Sequence, residues 1–315
     1  SAVKDKEKKR HGAASLAVEN GDKAAKRKSK HRSRKLTRTQ APKELVSAVK
    51  EGNLETIRRM LGQNEELKDA VVDQETFQTL FHAAIRSGQV SVVECLISAG
   101  ASTGGSDLKQ RNALHHLARV KDTSQALVDA VVRLQTINAI EKDSSGATPL
   151  HLAIRYKNFI LATTLISTLR SHELNVQDVT GLTPLHYACH EGFEAIVKAL
   201  LDAGANAKKV DDKGNTAMHY ACDTGSIPVG RILLAAGVDV MAANNKGDTP
   251  LHRAVEKKQE MMCGWLVNNG AEVRIRYEKR LYEARHKVQT RKYLRQAARE
   301  ARAGGPKLIT NDDGE

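Results

Sequence analysis

Aromatic side chains are scarce in this 315-residue chain: four Phe, six Tyr and one Trp, 3% of the total. With 40% apolar residues the chain can still bury a sizeable core, but that core has to be aliphatic and assembled from many small units. The four cysteines, Cys95, Cys189, Cys222 and Cys263, stand far apart with no Cys-x-x-Cys pair. This argues against a disulfide framework or a zinc site and points to an intracellular, reducing compartment. No apolar run reaches the roughly 20 residues that cross a bilayer, and the first residues are charged where a secretory signal needs an apolar stretch, so a soluble, non-secreted protein is expected. Phosphate-cradling glycine loops, the nucleophile elbow and the His-Glu-x-x-His zinc helix are all missing from the sequence. The reading is therefore a non-enzyme that needs no cofactor or metal.

What the chain has in excess is positive charge, unevenly placed. The formal net charge is +13, of which residues 1–43 hold 15 Lys/Arg against 4 Asp/Glu, and residues 272–315 hold 12 against 7. The stretch between carries 23 basic and 26 acidic residues, a net of −3. A slightly acidic body thus lies between two basic arms, a pattern that directs a polyanionic partner to the arms alone.

The body is repetitive. A tetrapeptide ending in histidine recurs at Thr79–His82, Asn112–His115, Thr148–His151, Thr183–His186, Thr216–His219 and Thr249–His252, its histidines 33, 36, 35, 33 and 33 residues apart. Small residues follow (Ala83-Ala84, Ala153, Ala188-Cys189, Ala221-Cys222, Ala254), often a glycine (Gly88, Gly192, Gly225), then an apolar doublet such as Leu96-Ile97 or Leu200-Leu201. Several units close on Gly100-Ala101, Gly204-Ala205, Gly237-Val238 or Gly270-Ala271. In this register the chain strongly resembles the ankyrin repeat family over residues 42–276, about three quarters of its length.

Local chemistry agrees with that resemblance. An Asp or Asn (Asp143, Asp178, Asp211, Asn244) opens a turn with glycine three residues on (Gly146, Gly181, Gly214, Gly247), where a positive φ is cheap. Thr-Pro starts a short first helix, and glycine ends the second. One such unit cannot bury its apolar stripe, so units must stack. An all-α solenoid of about seven repeats is predicted, the first (Pro42 to about Asp73) lacking the tetrapeptide as a capping repeat would. The third departs from pattern, with Gly104-Gly105 and Leu108–Arg111 where the turn belongs and no glycine between its helices. The fourth extends its second helix to Arg170.

The family resemblance assigns the six motif histidines to hydrogen bonds with neighbouring turns, not to a metal ladder; His116 is a weaker structural case. Cys189 and Cys222 fill equivalent core slots, and Trp265 is expected beneath a C-terminal helix. The same resemblance places protein contacts on turn tips and the exposed side of the first helices. These are Arg86, Lys109, Arg111, Arg119, Arg155 and Tyr156 in repeats two to four, then Glu191, Asp223 and Glu256 in repeats five to seven, a groove of two opposite signs. Arg119, Arg155 and Tyr156 have the composition of an interface hot spot.

Outside the repeats, residues 1–41 form a basic arm, disordered unless a partner holds it, with seven cations in Lys26–Lys35: Lys26, Arg27, Lys28, Lys30, Arg32, Arg34 and Lys35. Residues 277–303 read as a basic helix whose first half packs and whose second half presents Arg291, Lys292, Arg295 and Arg299; residues 304–315 form a tail. Arms without interleaved aromatics suit phosphates more than bases. The expectation is a scaffold present in one copy within a ribosome-like ribonucleoprotein, RNA on the arms and proteins on the solenoid. Its compartment is cytoplasmic or mitochondrial, with the nucleus as alternative. A microtubule-associated scaffold and a regulatory adaptor that masks a protein partner are the rivals.

Overall fold

The computed structural model describes residues 39–134 and 136–271. Among the described residues fourteen α-helices run in antiparallel pairs, one pair per repeat. The inner helices are α1 (Lys43–Glu51), α3 (Leu80–Ser87), α5 (Ala113–Leu117), α7 (Pro149–Arg155), α9 (Pro184–Glu191), α11 (Ala217–Thr224) and α13 (Pro250–Glu256). Each is followed by its outer partner: α2 (Leu54–Gln63), α4 (Val90–Ser98), α6 (Gln125–Val132), α8 (Phe159–Thr168), α10 (Glu194–Asp202), α12 (Ile227–Ala235) and α14 (Glu260–Asn268). Inner packs on inner and outer on outer along the stack. One continuous aliphatic core runs the length of it, with Leu45, Ile57, Leu80, Ile85, Leu114, Leu150, Leu185, Met218 and Leu251 buried in sequence.

The inner helices begin where the tetrapeptide predicts. Thr79, Asn112, Thr148, Thr183, Thr216 and Thr249 are the N-caps, each with the histidine three residues on completing a capping box. Proline occupies the first turn of α7, α9 and α13, where its missing N–H removes no bond. The inner helices stay short because the chain must turn back within one packing layer. Small residues such as Ala84, Ala153, Ala188 and Ala221 are fully buried where the second helix approaches.

The all-α solenoid is as expected; one detail adds to the sequence reading and two depart from it. Beside the helices, Val71–Asp73 and Gln78–Thr79 pair antiparallel in a short two-stranded hairpin with an irregularity between Val71 and Asp73. Thr39–Ala41, assigned above to the arm, belong to the first repeat: Ala41 N–H donates to Val71 O and Val71 N–H to Thr39 O, both at 2.9 Å. The second helix of the fourth repeat stops at Thr168, and a 3-10 turn over Glu173–Asn175 buries Leu174 before the next unit.

The third repeat, irregular in sequence, keeps the standard turn. Asp107 Oδ1 accepts from the N–H groups of Lys109 (2.8 Å) and Arg111 (3.0 Å), as Asp178 Oδ1 does from Thr180 and Leu182. Its left-handed residue is Gln110 at φ +58°, in the slot where the fifth repeat has Gly181 at +78°. Asp122, Lys157 and Lys258 likewise take the left-handed position between paired helices that Gly88 and Gly192 fill elsewhere.

Candidate protein-binding groove

The motif histidines hold the inner helices in register and so build the surface on which the exposed residues stand. In the fourth repeat Thr148 N–H donates to His151 Nδ1 (3.1 Å), which leaves the proton on Nε2 to donate to Leu182 O of the next turn (3.0 Å). The same span is made by His82 to Gly105 O, His115 to Ala147 O, His186 to Lys209 O and His219 to Asp248 O. Burial favours the neutral ring and pushes His82 down to about 3 and His115, His151 and His186 down to about 4, from an ordinary 6.5. Among the described residues no group of three or more His, Cys, Asp or Glu side chains could hold a metal ion.

In three repeats the residue after the histidine reaches back nine positions to the carboxylate of its own turn. Tyr187 Oη donates to Asp178 Oδ2 (2.9 Å) and Tyr220 Oη to Asp211 Oδ2 (2.5 Å). In the third repeat this place belongs to His116, which is buried and lies 3.1 Å from Asp107 Oδ2, with its ring against His82 at 4.6 Å between centroids. Arg111 closes the cluster at 2.7 Å from Asp107. Burial alone would raise the Asp107 carboxyl, but the hydrogen bonds from His116 and Arg111 outweigh it and hold the group well below the usual carboxylate range. His116 is thus a structural residue.

The nine side chains predicted to meet a partner separate into two kinds. Arg86, Lys109, Arg119, Arg155, Tyr156 and Glu256 are exposed. Arg86 makes one bond to Gln78 Oε1 (3.0 Å), and Arg119 lies over the Tyr156 ring at 4.7 Å while donating to its hydroxyl at 2.7 Å. Arg111 and Asp223 are committed within the protein. Arg111 serves Asp107, and Asp223, with a side chain only 6% exposed, binds Arg253 through two nitrogens (2.6 and 3.1 Å) and lies 3.7 Å from His190. Glu191 lies 4.0 Å from Lys157, and Glu256 3.8 Å from Arg253. The groove of two signs is therefore closed off by internal pairs at its acidic end.

Sequence reasoning passed over Arg253, Lys157, Phe159 and Phe193. Arg253 is the central cation of the acidic end. Phe159 meets Phe193 edge to face at 4.9 Å, and the Lys157 ammonium sits 5.7 Å from the Phe193 ring centre. Their signal was available in one respect only: Tyr156-Lys157-Asn158-Phe159 interrupts the usual small-residue link between paired helices. Cys189 and Cys222 are buried, and that burial pushes both thiols far up, as core positions require. The Trp265 indole rests against Gly230, 2.9 Å from where a Cβ would stand. The terminal cations Lys26, Arg27, Lys28, Lys30, Arg32, Arg34, Lys35, Arg291, Lys292, Arg295 and Arg299, and the helix expected over 277–303, lie outside the described residues. No described helix is long and apolar enough to cross a membrane.

Comparison with known proteins agrees with this architecture. The family model for ankyrin repeats (3 copies) matches in overlapping segments, 45–133, 82–178, 122–211, 161–244 and 203–277. Dog inversin (Canis lupus familiaris) is 28% identical over 168 residues, 53% of this chain and 15% of inversin. The p105 subunit of nuclear factor NF-kappa-B from chicken (Gallus gallus) is 34% identical over 169 residues, 42% of this chain and 17% of p105. The chain thus spans less than a fifth of the length of these relatives. Among solved structures, the ankyrin repeat domain of Bcl-3, a member of the IkappaB protein family, superposes with a TM-score of 0.58 at 27% identity, covering 68% of this chain and 95% of that domain. Ankyrin repeats are protein-interaction modules, and from its sequence, its stacked helical hairpins and these likenesses this chain belongs to the ankyrin repeat family.

Proposed function

We propose that this chain is a non-catalytic scaffold of a ribonucleoprotein, present once per assembly in a reducing compartment, cytoplasmic or mitochondrial. Its solenoid docks protein neighbours on the inner helices and turn tips, and its two cationic ends lie along RNA phosphates. The observation that carries this reading is the division of charge, −3 over residues 44–271 against +11 and +5 at the two ends. Such a division separates shape from electrostatic grip, because the repeats have almost no net field of their own to attract a polyanion.

Phosphate binding has a measurable signature. If about ten cations neutralise phosphates, the log–log slope of affinity against salt has a magnitude of about 7 to 9. Crosslinking in native extract followed by RNase tests the assembly: release of the chain is the expected result, and a nearly flat salt dependence removes RNA from the reading.

A second reading is a regulatory adaptor that masks a protein partner. It is favoured by the likeness to Bcl-3 and to p105. The two differ in what residues 1–38 contribute. Their deletion abolishes association with the assembly in the first reading and leaves partner binding intact in the second.

A further inference from the structure

One position of the repeat carries a graded series of charges. The residue four after the motif histidine is Arg86, Arg119, Arg155, His190, Asp223 and Glu256 in successive repeats. Being equivalent positions at the ends of stacked inner helices, with Arg119 in the turn just past α5, these side chains stand in one row about 10 Å apart, the spacing of packed helices. The three at the far end of the row form a closed network: His190 and Arg253 both face Asp223, and Arg253 also faces Glu256.

The three arginines are in the opposite condition. Arg86, Arg119 and Arg155 are exposed, and no carboxylate forms an ion pair with any of them among the described residues. Arg86 and Arg119 hold only neutral oxygens, those of Gln78 and Tyr156. The nearby acids are engaged elsewhere: Asp107 by Arg111 and His116, Asp178 by Tyr187 and its own turn, and Glu191 by Lys157. Lys109 adds a fourth exposed cation at the turn tip of the third repeat.

We infer that Arg86, Arg119 and Arg155 form a docking row for an extended protein segment with an acidic side chain at every third residue. This rests on the reading of the inner-helix face as protein-binding. The spacing selects the occupant: in the polyproline II form of extended chain three residues make one turn and advance about 9 Å, so every third side chain returns to the same face one repeat further along the solenoid. A guanidinium offers a planar fork that takes a carboxylate through two bonds, so one acid per repeat satisfies the row. Phosphates of a nucleic acid strand fit it less well. Their spacing is shorter, and Tyr156, the aromatic beside the row, already has Arg119 stacked on one face. The segment runs from the turn side of repeat two toward repeat four and ends where the internal network begins.

Register provides the test, because flexible basic arms attract acidic peptides without regard to it. Two fluorescein-labelled peptides of identical composition are titrated into the full chain by anisotropy, one repeating Glu-Thr-Ala four times, the other with its four Glu clustered. The spaced peptide is expected to bind at least tenfold tighter. Arg119→Gln should reduce that preference several-fold, and the triple variant Arg86→Gln/Arg119→Gln/Arg155→Gln should abolish it, with the far-ultraviolet spectrum and thermal midpoint retained. Glu256→Gln and replacement of the cations of Lys26–Lys35 by Gln should leave it in place. Equal binding of the two peptides, or a preference that survives the triple variant, overturns the inference. So does loss of polyuridylate binding in the triple variant, which would give the row to phosphate. If a natural partner crosslinked to the inner-helix face is retained by the triple variant, the inference fails while the protein-binding reading stands.

Discussion

The side chain that repeats most faithfully along this chain, histidine, is also the one that makes the solenoid sensitive to acid. In the folded state His82, His115, His151 and His186 have pKa values of about 3 to 4, against an ordinary 6.5, because burial disfavours the charged ring. The unfolded chain therefore binds more protons than the native one at any pH between these limits. The stabilisation from the neutral rings is fully present above about pH 6.5 and is lost as pH falls toward 4. Each histidine contributes up to about 1.4 kcal/mol per pH unit in that window. Urea midpoints measured from pH 7.5 to 5 should fall steadily and reversibly. A flat profile would mean the rings are protonated without cost.

Backbone conformation at a single residue decides a second outcome at this scale. Gly181 has φ +78°, and a Cβ there would come within 2.6 Å of the Asp212 backbone nitrogen and 2.5 Å of its carboxylate. Gly181→Ala should cost about 2 kcal/mol or more, from left-handed strain together with a contact that backbone cannot yield. Lys258 presents the converse case, a side chain at φ +58° in a slot other repeats give to glycine. Lys258→Gly should be neutral or stabilising by up to about 1 kcal/mol, the relief of strain being partly offset by a more flexible unfolded chain. Denaturant unfolding at constant slope checks both.

At the scale of the element, the links between paired helices vary most and bear most on how repeats join. In the fourth repeat Asn158 replaces a conventional link. Its Oδ1 caps α8 by accepting from Leu161 N–H, and its Nδ2 reaches back to Leu117 O (3.0 Å) and Thr123 Oγ1 (2.8 Å) of the preceding repeat. Asn158→Ala removes a cap and leaves buried acceptors of the third repeat without their donor. A loss of about 2 to 3 kcal/mol is expected, read as increased amide hydrogen exchange in α6 and α8 before the rest of the stack. The regular elements were legible in sequence because their signals are local: Thr-Pro at a helix start, a histidine three residues on, glycine at a stop. The turn of the third repeat was not, because it uses Asp107 and Gln110 where other repeats use Asp and Gly. Only the backbone hydrogen bonds reveal that a glutamine occupies the left-handed position.

At the scale of the whole molecule, stability is a sum over neighbouring interfaces, while charge is divided between body and ends. These two properties predict independent behaviour. Replacing the seven cations of Lys26–Lys35 by Gln should leave the unfolding curve of the repeats unchanged. It should lower the salt-dependence slope of RNA binding by about 5, at about 0.7 per cation on a single strand. A change in unfolding without a change in slope would place those cations on the solenoid instead of on RNA.

The sequence by itself determined the repeat length, the number of units, the caps and the aliphatic core, since each follows from interactions spanning a few residues and repeated in register. It also determined where the charges stand along the chain. Which charges remain available to a partner was decided only in three dimensions. Asp223 and Arg111 read as surface residues until Arg253, 30 positions away, and the buried pair of Asp107 and His116 engage them. The physical reason is that an ion pair depends on distances between repeats, set by stacking, and one-dimensional order carries no record of which neighbouring side chain arrives first.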